Sequence, residues 1–149
     1  MDGCTLEKIS LSPYAAIVES DIPIGKVVEA AKELSHGCEA IVALRPSEGI
    51  EARLVPAYLN ACIRCSESAM HSGSLSIEML LFIAADMNIG SAIKKAAADA
   101  SRFIILASSK SLAERLIETC KLRKEKDIAL SLDVGAAGDI AVTAIKDDK

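Results

Sequence analysis

Aromatic side chains are nearly missing from this chain, which has no Trp and only two Tyr and two Phe among 149 residues. That scarcity argues against a surface that holds nucleic acid by stacking bases on aromatic rings. Hydrophobic residues nonetheless make up 51% of the chain, so the interior must be built from Ala, Ile, Leu and Val packed by close approach. Also lacking is any uncharged apolar run of the roughly 18 residues that a membrane-spanning helix needs. The chain opens Met1, Asp2, Gly3, Cys4, without the basic and then apolar stretch of a secretory signal. A cytoplasmic location without membrane contact is the expectation. Surplus positive charge is absent too: a net charge of -4 and a pI near 5.2 give no general attraction to nucleic acid or an anionic membrane. Any RNA contact must be local.

Imidazoles are few, with only His36 and His71 available as bases, and neither lies near a recognisable nucleophile motif. Five cysteines, Cys4, Cys38, Cys62, Cys65 and Cys120, are an odd number in a chain large enough to fold without disulfides, which suggests reduced thiols. Cys62 and Cys65 have the spacing of a redox pair or half a zinc site. No second such pair or His motif completes a tetrahedral metal site, and the pair falls at the C-terminal end of its helix, where the dipole does not lower a thiol pKa. Pro23, Ile24, Gly25 and Lys26 look like the end of a phosphate-binding loop, but Ser20 and Val27 stand where its first Gly and its hydroxyl belong. Gly135 to Asp139 lacks dinucleotide-loop spacing. The carboxylate pairs Glu29 with Glu33 and Asp147 with Asp148 fall on solvated stretches. No metal, cofactor or catalytic residue is expected.

The length fits a single domain spanning residues 1–149. Two short strands are expected over residues 4–20, joined near Ser12 and Pro13, the second holding Ala15 and Ile17. A helix with Ile24, Val27, Val28, Ala31 and Leu34 on one face should end at Gly37 as its C′ residue. Residues 40–44 read as a buried strand and 45–49 as a loop. Leu54, Val55, Tyr58, Leu59, Cys62 and Ile63 recur at helical spacing, with Pro56 expected in the first turn, where a missing amide hydrogen costs nothing. Residues 103–107 read as a strand. Ser111 with Glu114 spells a capping box for a helix through Leu116, Ile117 and Cys120. Lys121, Arg123, Lys124 and Lys126 read as that helix's solvated basic end, or alternatively as an RNA patch. Residues 140–145 read as a closing strand. The class is α+β: a small mixed or antiparallel sheet packed with about five helices.

The most informative stretch is residues 74–95, which reads as two abutting helices. The first is apolar around its circumference, with Ile77, Met79, Leu80, Leu81, Phe82 and Ile83, and Glu78 is its single charge. After a polar break, Ile89, Ala92, Ile93, Ala96 and Ala97 resume at helical spacing, with Lys94 and Lys95 on the other face and Asn88 as N-cap. Ser76 and Glu78 either satisfy free amides and the dipole at a helix start, or reach a partner.

Leu75, Ser76 and Glu78, the aliphatic run, and then Asn88, Ile89, Ala92, Ile93, Lys94 and Lys95 resemble the kinase-binding subunit family of the KEOPS complex. The strand over 103–107 and the closing strand follow the same order of elements. The resemblance implies a non-catalytic subunit of the tRNA threonylcarbamoyladenosine machinery. Such a subunit binds the complex's small atypical kinase, which behaves as an ATPase, and helps hold tRNA, including its 3′ CCA end. Residues 66–73 depart from the family, because that loop is commonly rich in Lys or Arg and here offers His71, with Arg64 just upstream. Weak, salt-sensitive tRNA binding is therefore expected, centred on Arg64, His71, Lys94, Lys95 and Arg102. Two rivals come from other classes: a small-molecule-binding or thiol-dependent enzyme using Cys62 and Cys65, and a homo-oligomer that covers its own apolar surface.

Overall fold

A computed structural model describes residues 10, 12–66 and 74–130. Among them are four strands and five helices in the order β1 (Tyr14–Glu19), α1 (Ile24–Leu34), β2 (Ile41–Leu44), α2 (Glu51–Ser66), α3 (Leu75–Ala84), α4 (Ile89–Ala96), β3 (Arg102–Ala107), α5 (Lys110–Cys120) and β4 (Arg123–Ile128). The expected α+β class holds. The sheet runs β2-β3-β1-β4 with every neighbouring pair antiparallel. It follows that β1 and β2 are parallel with β3 between them, and that β3 and β4 are parallel with β1 between them. These are two interleaved split βαβ units, with α2, α3 and α4 inserted between β2 and β3.

Strands β1, β2 and β3 have apolar runs in place of alternation because both sheet faces are covered there. Ala15, Ile17, Leu44, Ile104 and Leu106 pack with Leu54, Tyr58, Met79 and Leu80 of α2 and α3. Ala16, Val18, Ile41, Ala43, Phe103 and Ile105 pack with Val27 and Ala31 of α1 and Leu112, Ala113 and Leu116 of α5. The result is a helix–sheet–helix sandwich with a separate core on each face. Small residues at Ala15, Ala16, Ala43 and Ala107 let the layers approach closely.

Several local expectations are corrected. Helix α1 ends at Leu34 with Ser35 as C-cap; Gly37, at φ 59°, instead turns the chain where His36 and Glu39 exchange backbone hydrogen bonds of 2.8 and 2.9 Å. Pro56 lies inside α2 rather than in its first turn, because the helix starts at Glu51, and Asn60 Nδ2 donates to the Pro56 carbonyl at 2.8 Å. Ser109, not Ser111, caps α5: its Oγ accepts from the Leu112 amide at 3.2 Å. Ser111 is then the second residue of the helix, already past the cap position. Ser109→Ala is expected to cost about 1 kcal/mol and Ser111→Ala close to nothing, as read by urea denaturation.

The basic run after α5 is no helix end. Lys121 is the left-handed cap (φ 52°), and Arg123, Lys124 and Lys126 belong to β4, an edge strand on which only Ile128 is buried. The β1–β4 register shifts between Ile17 and Val18, so that Lys126 and Lys124 pair with them and Glu125 is extra. A charged, bulged edge resists pairing with another chain. Leu6, Ile9 and Leu11 of the first expected strand and the closing strand, over 140–145, lie outside the described residues, as does His71.

Candidate functional site

Helices α3 and α4 meet at 68°, and the residues that make this elbow are those of the central motif. The Ser74 Oγ accepts from the Ile77 amide at 3.4 Å to start α3, and Ser76 and Glu78 follow in its first turn, both buried. Ala85 ends the helix in the left-handed conformation (φ 54°), its amide donating to Phe82 O at 3.3 Å, while the Asp86 amide donates to Leu81 O at 3.1 Å. Asn88 then caps α4 as expected, its Oδ1 accepting from the Ser91 amide at 2.9 Å.

Asp86 organises the bend. Its Oδ2 accepts from Lys95 Nζ at 2.9 Å and from Ser91 Oγ at 2.5 Å, and its Oδ1 from the Asn88 amide at 2.9 Å. Lys95 first, then Ser91 and the Asn88 amide, hold this carboxyl well below the usual carboxylate range. The folded value is depressed, so the stabilisation is present above the unfolded carboxyl's value, about 4, and is lost as pH falls below it toward the folded one. Asp86→Asn should lower the melting temperature at pH 7 and shrink the gap between pH 7 and pH 3.

Around the elbow lies a polar cleft of about 170 Å³ lined by Arg45, Ser47, Arg53 and Lys95 with the backbone ends of α3 and α4. Arg45 Nη2 donates to Lys94 O at 2.9 Å and pairs with Asp99 at 3.1 Å; Arg53 Nη1 donates to Ile83 O at 3.3 Å. Arg53 is exposed and forms no ion pair with a described carboxylate. Lys94 is exposed on the same helix as Lys95. The structure thus joins Lys95 to Arg45 and Arg53, two cations the sequence does not single out, while Lys94 meets Arg45 through its backbone carbonyl. Only the three-dimensional return of the 45–53 segment to the α3–α4 bend reveals them.

The other expected cations lie elsewhere. Arg64, in the last turn of α2, has its guanidinium carbon 5.1 Å from the Phe82 ring centroid. Arg102 opens β3, where its Nε reaches Glu125 at 3.0 Å. On β4, Arg123 binds Glu19 at 2.5 Å and also Asp21, and Lys124 binds Asp127 at 3.1 Å. Arg123 is pushed up by Asp21 first and Glu19 next. Arg123 and Lys124 are thus paired with carboxylates, while Lys126 is exposed on the same strand.

Cys62 and Cys65 do lie near the C-terminal end of α2, and both are buried. Burial pushes the Cys62 thiol up to about 12, Tyr58 opposing only in part. Since the thiolate is the reactive form, Cys62 is expected to label slowly with a disulfide reagent at pH 7, at a rate set by unfolding. Prompt native labelling would favour the thiol-dependent rival. Among the described residues no group of three His, Cys, Asp or Glu could hold a metal ion, and no single helix is long and apolar enough to cross a membrane.

Ile89 and Ile93 correct the expectation for α4. Ala92 and Ala96 face the interior, but Ile89 is 39% exposed and Ile93 44%. Among the described residues they are the exposed large hydrophobics, and their spacing of four puts them on one helix face. Comparison with protein-family models and with curated proteins gives no match.

Proposed function

We propose that this protein is a non-catalytic subunit of the KEOPS tRNA threonylcarbamoyladenosine machinery, binding the small atypical kinase through α4 and assisting tRNA binding, including its 3′ CCA end, beside the α3–α4 elbow. The observation that carries the reading is the exposed pair Ile89 and Ile93, on the helix that bears the second half of the resembling motif. Apolar side chains exposed at i and i+4 are the anchors by which a helix docks into a groove on a partner. Lys95 with Arg45 and Arg53 in the cleft, and Lys94 exposed on the same helix, supply local positive charge on a chain that is acidic overall. Phosphate contacts from such residues account for salt-sensitive RNA binding.

Co-expression with the small atypical kinase from the same genome tests the assignment. The two chains should co-purify, and the double variant Ile89→Asp, Ile93→Asp should lose the kinase while keeping its circular dichroism. Failure of the unaltered chain to co-purify would sink the assignment. A dimer on size exclusion that the double variant breaks would give the patch to a second copy of this chain.

A further inference from the structure

The cations that line the cleft at the α3–α4 elbow carry more hydrogen-bond donors than the protein uses. The Arg45 side chain donates from Nη2, to Lys94 O at 2.9 Å and to Asp99 at 3.1 Å, while its Nε is buried with no acceptor among the described residues. The Arg53 side chain donates from Nη1 alone, to Ile83 O at 3.3 Å. Lys95 gives one of its ammonium hydrogens to Asp86. A guanidinium has donors on every nitrogen and no acceptor, so unused N–H groups of both arginines and Lys95 surround one cleft, and a buried donor without a partner is costly. Glu48 and Glu51 belong to the same stretch of chain as the arginines but do not line the cleft, and neither do Asp86 and Asp99. The carbonyl ends of the two helices would repel an anion if they were bare. Ile83 O and Lys94 O are covered by Arg53 and Arg45, and Ala96 O by the Arg45 amide.

We propose that the cleft is a site for a phosphate monoester, whose terminal oxygens accept from the unused donors of Arg45, Arg53 and Lys95. This site rests on the reading of the cleft as a phosphate-binding surface and narrows it to an end group. At pH 7 a monoester carries a charge of about -1.5 to -2 and three strongly accepting oxygens, which suits several converging cations, and arginine meets such oxygens with paired N–H groups. A diester inside a nucleic-acid backbone has a single charge and fewer free oxygens, and its chain must leave the cleft on two sides. The cleft, at about 170 Å³, is smaller than the roughly 300–1,000 Å³ that takes in a whole drug-sized ligand. The phosphate therefore enters and the rest of the molecule stays outside. Arg45 follows β2, Arg53 belongs to α2 and Lys95 to α4, so one phosphate held by all of them ties the elbow to the segment that clamps it. Occupancy stiffens the end of α4, the helix that carries Ile89 and Ile93.

Titration of the isotope-labelled protein with glycerol 3-phosphate and with dimethyl phosphate at constant ionic strength, followed through backbone amide shifts, tests the site. Glycerol 3-phosphate should move the Arg53 and Lys95 amides, slow hydrogen exchange at the end of α4, and bind about tenfold or more tightly than the diester. Arg53→Gln should weaken that binding about tenfold; should the variant not fold, the monoester and diester series on the unaltered protein decides alone. Equal binding of the two compounds, or a Lys95 amide unmoved by either, would overturn the proposal. Two RNA hairpins of one sequence, one with a 5′-phosphate and one with a 5′-hydroxyl, separate the sources of the monoester. Preferential retention of the phosphorylated hairpin assigns it to an RNA end, and equal retention with glycerol 3-phosphate still bound assigns it to a small phosphorylated molecule. A chain that retains tRNA but ignores glycerol 3-phosphate would end this proposal and leave the RNA reading standing, whereas a chain that binds glycerol 3-phosphate but not tRNA would end the RNA reading alone.

Discussion

Phe103→Ala is expected to lower the free energy of unfolding by about 3–5 kcal/mol, and Leu106→Ala by about 2–5 kcal/mol. Both side chains are fully buried on the same strand, but they point to opposite sides of the sheet. Phe103 lies against Val18 in the register and packs toward α1 and α5, while Leu106 packs toward α2 and α3. In a sheet with one wet face, one of the two positions would tolerate Ala. A sandwich with two cores tolerates neither, and a domain of ordinary stability, about 5–15 kcal/mol in all, would lose a large share in each case. Glu114→Ala, at an exposed position on α5, should change stability by no more than about 0.5 kcal/mol. Urea denaturation of the three variants checks the architecture. A small effect at either Phe103 or Leu106 would mean that one helical layer is misplaced.

The second large effect is expected on RNA binding. If the cleft beside the elbow holds phosphate, the double variant Arg53→Glu, Lys94→Glu should reduce tRNA retention more than tenfold, because each change removes a cation and adds an anion, one on the cleft wall and one on exposed α4 beside it. The plot of log affinity against log salt concentration should flatten by about 0.7 to 0.9 for each phosphate that the variant no longer neutralises. Arg102→Glu should do much less, since Arg102 already faces Glu125. Arg53 carries the comparison because it shares no described carboxylate, whereas Arg45 and Lys95 are partly neutralised by Asp99 and Asp86. Equal losses from the Arg102 and Arg53/Lys94 variants would disperse the RNA surface and remove the elbow from it.

How much of this is legible in the sequence depends on how each residue's environment is encoded. Strands β1, β2 and β3 show as apolar runs because they are buried on both faces, and a core strand needs no polar alternation. β4 does not show: five of its six residues are exposed and charged, and a basic stretch just after a helix has the composition of a solvated helix end. Caps are legible where one candidate exists, as at Asn88, and ambiguous where Ser109 and Ser111 compete two residues apart. At the site, Lys94 and Lys95 stand next to each other in sequence, so their place on one helix can be read, but not that Lys95 alone lines the cleft. Arg45 and Arg53 join them only through folding, by capping the carbonyl ends of α4 and α3. Helical periodicity marks Ile89 and Ile93 as apolar, but it cannot say whether anything covers them. That answer comes from packing, which buries Ala92 and Ala96 and leaves the two isoleucines at the surface.

The central proposal is that recognition falls to the α3–α4 elbow because both faces of the sheet are consumed by the protein's own cores. Hydrogen exchange on the chain mixed with the small atypical kinase proposed as its partner, against the free chain, tests it most directly. Slowed exchange should concentrate in Ile89–Ala96 and the adjoining bend, with β4 and α5 unchanged. Protection confined to β4 and α5, with α4 exchanging as in the free protein, would contradict it.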